Sequence, residues 1–226
     1  MGWLLRFFNS TIGMKVVMAV TGLLMYGFVI VHMAGNIQVF LGEEAINHYA
    51  QLLHTSEEVV WGVRLGLLGA VVAHILSSTR LILLSGKARP TAYTKRTYSA
   101  ASFASLSMRF SAILLLAFII YHLGHLTTGT FFGEGFKLQE GLKVNDVWHN
   151  VSTAFKNPLI VGFYVIAQLS LGAHLYHGAV SLFRTLGLAG ERQLALVKNL
   201  ARAIVGAVVV GNISIPLAVL LGLAGK

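Results

Sequence analysis

The chain has 226 residues, of which 56% are hydrophobic and only 11% are charged, with a formal net charge of +9. A soluble domain carries about 25% charged residues, so the composition excludes a soluble globular protein and indicates one membrane domain over residues 1–226. The absence of cysteine excludes disulfides, cysteine-ligated iron–sulfur clusters and covalently attached haem on this chain. No glycine-rich fingerprint or P-loop indicates a flavin, nicotinamide or ATP site.

Five apolar runs are long enough to cross a bilayer core of about 30 Å, which takes about 20 helical residues. In chain order, we predict these spans at roughly 13–41, 59–84, 108–128, 159–183 and 203–223. The connections at 42–58 and 129–157 are long enough to carry short interfacial helices, and Asn157-Pro158 suits the start of the fourth span. The sequence therefore predicts an all-α integral membrane protein with five transmembrane helices.

Charged residues divide unequally between the two sides of these spans. The N-terminal side holds 12 of the 17 basic residues, and the opposite side holds seven of the eight acidic residues; we call them the basic side and the acidic side. Because loops rich in Lys and Arg stay in the cytoplasm, we expect a bacterial cytoplasmic membrane protein with its N-terminus inside and its C-terminus outside. The basic residues cluster in alternate loops between the apolar runs. This pattern indicates that the net positive charge reflects membrane topology and not nucleic-acid binding.

Four histidines lie one per apolar segment, where an ionisable side chain is costly and suggests function. At about 1.5 Å per helical residue, His32 and His122 lie in the outer half of the membrane and form the outer pair. By the same measure His74 and His174 lie in the inner half and form the inner pair. Helical bundles build cofactor sites from facing helices, and neutral imidazole is a good iron ligand. We therefore predict a four-helix core that encloses two stacked bis-histidine haems b.

Other interpretations of these histidines stay open at this stage. They could simply hydrogen-bond between helices, or they could belong to a transporter for zinc or protons, although such a site usually includes carboxylates. The choice of ligand is also open, because His125 follows His122 by three residues and His177 follows His174 by three. Residues at that spacing share one helix face.

Four segments carry a resemblance to a known family. They read VHMAGNIQVFLG around His32, AHILSSTRLILLSGKARPTAYTKR after His74, IIYHLGHLTTG around His122 and AHLYHGAVSLFRTLG around His174. Over essentially its whole length, the chain resembles the cytochrome b558-type, five-helix, di-haem membrane subunit of succinate dehydrogenases and fumarate reductases. The pairing implied by the resemblance is the one that the depths predict.

The resemblance also implies which histidine of each close pair is the ligand. The family ligand in the fourth span lies four residues before a glycine, which matches His174 and Gly178. The ligand in the third span follows an aromatic residue, which matches His122. Some relatives carry a carboxylate two residues before the fourth ligand; Gly172 stands there in this chain, which argues against a transmembrane proton route through that position.

The resemblance further implies the rest of a respiratory complex. A flavoprotein subunit with FAD and an iron–sulfur subunit would bind on the cytoplasmic side, and whole complexes can pair into dimers. This chain would be the membrane subunit of a succinate:quinone or quinol:fumarate oxidoreductase, with two haems b and no dicarboxylate site or catalytic residue of its own. It would exchange electrons with a quinone, usually menaquinone. The alternatives are a cytochrome b of another membrane dehydrogenase and a histidine-bearing transporter.

Two further sets of residues are candidates for supporting roles. Quinone reduction takes up protons, and in relatives a carboxylate near the end of the first span assists; the candidates here are Glu43, Glu44, His54, Glu57 and Glu58. Arginine suits bidentate contact with carboxylates, so arginines near span ends are candidates for the haem propionates, with snorkelling to headgroups as the alternative. These are Arg64, Arg80, Arg109 and Arg184.

Overall fold

The computed structural model describes residues 2–88 and 107–225, of which 81% are helical and none lies in a strand. The helices are α1 Trp3–Asn9, α2 Thr11–Asn36, α3 Glu43–Leu53, α4 Glu57–Lys87, α5 Met108–His122, α6 Val147–Ala154, α7 Pro158–Thr185 and α8 Glu191–Leu220. A 3₁₀ turn, Ile37–Leu41, continues α2, and a π turn, Leu123–Thr127, continues α5. Residues 89–106, which carry part of the basic-side charge, lie outside the described residues.

In the described part of the chain, five helices are long and apolar enough to cross a membrane, in agreement with the five predicted spans. They cover Thr11–Leu41, Glu57–Lys87, Met108–Thr127, Pro158–Thr185 and Glu191–Leu220. The fifth helix begins at Glu191, whereas the sequence predicts a start near Ala203. Its first turns carry the exposed charges Glu191, Arg192 and Arg202, which lower the local hydropathy without breaking the helix. The short helices α3 and α6 occupy the two long connections, as predicted.

Polar caps explain where four of the helices begin. Ser10, Ser56 and Asp146 each accept a hydrogen bond from the backbone N–H three residues later, at the starts of α2, α4 and α6. Asn157 caps α7, and Pro158 occupies its first turn, which confirms the predicted start. Such caps satisfy N–H groups that lack a partner in the first helical turn.

Close packing joins some helices and not others. Helix α2 packs along α4, α7 packs along α8 and α5, and α2 also touches α7 and α8. Within the described residues, α2 with α5 and α4 with α7 make at most sparse backbone contacts. The chain therefore leaves space between the helices that carry the members of each histidine pair.

The main buried core lies at the acidic side. It joins the 3₁₀ turn, α3 and α6 to the neighbouring ends of α5, α7 and α8 through residues such as Val39, Ile46, Phe118, Phe155 and Val219. These elements come together because the acidic-side connections are long enough to fold back over the bundle, which makes that end a closed one.

Hydrogen bonds fix a cap over this core, formed by α3, residues 129–146 and α6. The Asn47 side chain donates to Asp146 Oδ1 at 3.0 Å and accepts from the Trp148 N–H at 3.1 Å. Buried Asn150 donates to the Lys137 carbonyl at 2.9 Å and accepts from the Lys137 N–H at 2.8 Å. The cap is thus tied together through its own backbone and side chains.

Candidate functional site

The outer pair joins α2 to α5 close to the cap. The ring centroids of His32 and His122 are 5.8 Å apart and the ring planes meet at 85°. Phe28 stacks on His32 at 5.2 Å, and Phe118 stacks on His122 at 5.5 Å. His32 stays exposed whereas His122 is half-buried, so one edge of this pair is open at the surface of the bundle.

The inner pair joins α4 to α7 nearer the basic side. The ring centroids of His74 and His174 are 6.4 Å apart and their planes meet at 55°. Gly22 lies beside this pair, and a Cβ atom at that position would come to 3.4 Å from the His74 ring. Both histidines are half-buried.

The separation of the rings fits two imidazoles on opposite faces of one iron. A metal–nitrogen bond is about 2 Å long and the nitrogen lies about 1.2 Å from its ring centroid, so the two centroids should be about 6.4 Å apart. Both observed distances, 5.8 and 6.4 Å, are close to this value. The plane angle does not matter, because each ring turns about its own metal–nitrogen bond. The sparse packing between the carrying helices also suits a flat group, so the donor set fits haem.

Two hydroxyls orient the rings of the inner pair. Thr21 Oγ1 lies 3.2 Å from His74 Nδ1, and Ser111 Oγ lies 3.3 Å from His174 Nδ1. Each hydroxyl donates its own hydrogen to a backbone carbonyl of its helix, at 2.7 and 3.0 Å. Each oxygen must therefore accept the Nδ1–H hydrogen, which leaves Nε2 of both rings free to bind a metal.

Tyr164 plays the corresponding part at the outer pair. Its hydroxyl lies 3.3 Å from His122 Nδ1 and 3.1 Å from His125 Nδ1. His125 is only 2% exposed and is stacked by Tyr121 at 5.0 Å and by Phe132 at 5.3 Å. The structure thus gives the two close histidines different surroundings, since the His122 ring contacts His32 and the His125 ring does not.

His174 and His177, the other two histidines that lie three residues apart, also differ in their surroundings. His174 contacts His74 across the bundle, whereas half-buried His177 has no ring contact or hydrogen bond to a side chain in the described part of the chain. The structure thereby brings together the four histidines that the depths and the resemblance select. Metal ligation itself stays a prediction.

Three-ligand metal sites are not found among residues 2–88 and 107–225, where no group of three or more His, Cys, Asp or Glu could hold an ion. Isolated histidine pairs suit a porphyrin, which brings four nitrogen ligands of its own, better than a zinc ion that needs three or four protein ligands.

The predicted quinone and proton candidates lie at the surface, away from both pairs. Glu43, Glu44 and Glu57 are exposed, and the first two line a shallow groove on α3. His54 donates from Nδ1 to a carbonyl of α3 at 2.8 Å, and Glu58 accepts from the serine that caps α4 at 2.8 Å. The structure does not bring any of the five into contact with the outer pair, and their role stays a prediction.

None of the predicted propionate arginines contacts either histidine pair among the described residues. Arg64 stacks its guanidinium on a tryptophan of α4 at 5.2 Å, and Arg80 donates to Asn9 Oδ1 at 2.8 Å. Arg109 and Arg184 are exposed and have no hydrogen-bond or carboxylate partner among the described residues. Contact with propionates stays a prediction for all four.

Gly172 shows why no carboxylate occupies its position. It is buried where α7 packs on α8, and a Cβ atom there would lie 2.7 Å from a methyl group of Val209. The close approach of these helices leaves no space for a longer side chain.

Sequence reasoning missed the three hydroxyls, although two of them leave a periodic signal. Thr21 precedes His32 by 11 residues, and Ser111 precedes His122 by 11 residues. Eleven residues are about three helical turns, so each hydroxyl shares a face with a histidine. Both helices therefore place the two pairs about 16 Å apart along the bundle.

Comparisons of this chain with models of protein families, with curated proteins and with solved structures found no match.

Proposed function

We propose that this chain is the di-haem cytochrome b subunit that anchors a succinate dehydrogenase or fumarate reductase complex in the bacterial cytoplasmic membrane. It would carry electrons between the iron–sulfur subunit of that complex and a membrane quinone, with menaquinone favoured. The observation that supports this most is the presence of two facing histidine pairs at bis-imidazole distance, on helices that leave space between them.

Each pair would hold one haem b inside the four-helix core. His32 and His122 would bind the outer haem, and His74 and His174 the inner one. A bound haem b with two axial histidines supplies one-electron exchange without an open coordination position for a gas ligand. The hydroxyls described above fix the ring orientation, which keeps the ligands in place between redox states.

Exposed helix faces are consistent with lipid and subunit contacts. Only 6% of the most apolar window of α4 is buried within the chain, against 33% for α8. In the proposed orientation the basic side faces the cytoplasm, where the flavoprotein and the iron–sulfur subunit would bind. FAD and the iron–sulfur clusters belong to those partners, because this chain has no cysteine and no nucleotide motif.

Quinone would react near the outer pair. The exposed face of His32 and its stacked neighbour Phe28, itself 39% exposed, open toward the lipid side of the bundle. The acidic groups of α3 and of the start of α4 lie at the same end of the molecule and could exchange protons with water there.

The first test is a pyridine haemochrome spectrum of the chain purified with its partners and scaled to protein. Two haems b per chain are expected. One haem would show that one pair is assigned wrongly, and none would overturn the proposal and favour a transporter. Co-purification with a flavoprotein subunit, rather than with a formate or hydrogen dehydrogenase, distinguishes this complex from other cytochrome b anchors.

A matched pair of variants on α7 tests the ligands. His174→Ala should remove the inner haem and keep the outer one, whereas His177→Ala, three residues away, should keep both. If His174→Ala retained two haems with unchanged spectra, the ligand assignment would be wrong.

A further inference from the structure

We propose that Tyr164 is a positioning residue that orients His122 as the outer ligand through a one-way hydrogen-bond chain, His122 to Tyr164 to His125. This inference rests on the proposed function, because it concerns how the outer haem would be held. No motif in the sequence indicates it; the contact exists only because α5 and α7 pack together.

The tyrosine is held firmly in its place. Tyr164 is 5% exposed, with Phe155 at 4.9 Å and Phe118 at 5.2 Å in edge-to-face contact with its ring. Its hydroxyl lies between two histidine Nδ1 atoms, at 3.3 and 3.1 Å. Apart from these two nitrogens, no side chain in the described part of the chain forms a hydrogen bond with the hydroxyl.

Counting hydrogens gives the chain a direction. A tyrosine hydroxyl has one hydrogen, so it donates to one of the two nitrogens and accepts from the other. A neutral imidazole that binds iron through Nε2 carries its hydrogen on Nδ1, so His122 must donate to Tyr164. The hydroxyl hydrogen then points to His125, whose Nδ1 accepts it. All three groups are neutral in this arrangement.

This chain differs from the inner pair in its length and its end point. At the inner pair, each histidine Nδ1–H donates to one hydroxyl, and that hydroxyl donates to a backbone carbonyl. At the outer pair, the His122 Nδ1–H donates to the Tyr164 phenol, which donates to the buried imidazole of His125. Hydrogen bonds in a chain polarise one another, so the phenol oxygen becomes a stronger acceptor for His122 Nδ1–H. That makes His122 a more basic ligand, which favours oxidised iron and lowers the outer haem potential.

The principal test is a redox titration of Tyr164→Phe in the assembled complex. Loss of the hydrogen bond from His122 Nδ1–H should change the outer oxidised-to-reduced ratio roughly threefold to tenfold, which raises its midpoint potential by about 30–60 mV. The shifted component must be the one that disappears in His122→Ala. The inner potential should not change in Tyr164→Phe. Thr21→Val is the matching control, which should raise the inner potential and leave the outer one unchanged.

A second pair of variants tests the far end of the chain without touching Tyr164. His125→Asn keeps an acceptor where Nδ1 lies, so the outer potential should stay near that of the native chain. His125→Leu removes the acceptor and should raise the potential, by less than Tyr164→Phe does. If Tyr164→Phe loses the outer haem, the comparison of the two His125 variants still tests the role of Tyr164.

The outcomes separate the two proposals. A native chain without haem would overturn the proposed function. A native chain with two haems, whose outer potential is unchanged in Tyr164→Phe, would overturn the role of Tyr164 alone. Equal shifts of both haems, or equal potentials in His125→Asn and His125→Leu, would also overturn it.

Discussion

The two ends of the bundle are built differently. At the acidic side, a cap and a continuous apolar cluster close the molecule, and aromatic rings surround the outer pair. Toward the basic side, the neighbours of the inner pair are small: two hydroxyls and a glycine. The chain's own packing therefore completes one end, whereas the other end leaves helix faces uncovered by the described part of the chain.

The same difference gives the two histidine pairs unlike electrostatic surroundings. The outer pair has stacked aromatic rings and a phenol, whereas the inner pair has short links to hydroxyls. If each pair holds a haem as proposed, this difference predicts unequal ligand basicity and hence unequal potentials for the two haems. Mutations at the two ends should accordingly affect different properties: stability at the acidic side and, under the proposed function, haem or subunit binding toward the basic side.

The largest effect is expected in the buried cluster. Phe155→Ala removes a ring that packs on Tyr164, and truncating a buried Phe costs about 3–5 kcal/mol. Leu83→Ala on the exposed face of α4 is the control and should change stability by about 0.5 kcal/mol or less. Unfolding by SDS titration in mixed micelles measures both. Equal losses would contradict the contrast between the ends.

The cap should depend on Asn150. Asn150→Leu removes the partner of the Lys137 N–H and one of the two hydrogen bonds to the Lys137 carbonyl, which also accepts from the Asp146 N–H. Each lost hydrogen bond is worth about 0.5–1.5 kcal/mol. We expect faster limited proteolysis within residues 129–146. Gln51→Ala, which breaks an exposed 2.6 Å hydrogen bond to Gln139, should leave the digestion rate nearly unchanged. A cap equally resistant in both variants would show that apolar packing alone holds it.

A smaller effect is expected where α7 meets α8. Gly172→Ala places a methyl group 2.7 Å from Val209, and overpacking of this kind costs about 1–3 kcal/mol. Gly162→Ala on the same helix meets open space and should be neutral or slightly stabilising. Thermal unfolding of the two variants in detergent gives the comparison, and a neutral Gly172→Ala would show that these helices separate easily.

The smallest effect belongs to the hydroxyls of the inner pair. Thr21→Val keeps the side-chain shape but removes the acceptor for His74 Nδ1–H, which is worth about 0.5–1.5 kcal/mol. We expect both haems to remain and only the inner potential to rise. Ser111→Ala should act in the same direction through His174. A shift in the outer potential instead would reverse the assignment of the pairs.

Hydropathy and spacing predict the spans, the start of α7 and the depths of the four histidines, because each depends on local sequence. The start of α8 escapes prediction, since Glu191 and Arg202 belong to a helix that extends past its apolar part. The contact between Tyr164 and His125 depends on how α5 and α7 pack, which no local pattern encodes. Thr21 and Ser111 fall between these cases, because their spacing to the histidines is visible in the sequence but their partners are on other helices.

The 11-residue interval on α2 and α5 has a consequence for how such a chain can change over time. Inserting or deleting one residue inside either interval would turn the following histidine by about 100° and move it by about 1.5 Å. Substitutions can accumulate along the lipid-facing sides of these helices, whereas changes in length are tolerated only in the loops. Families that share this arrangement should therefore vary in composition and loop length while keeping the interval constant.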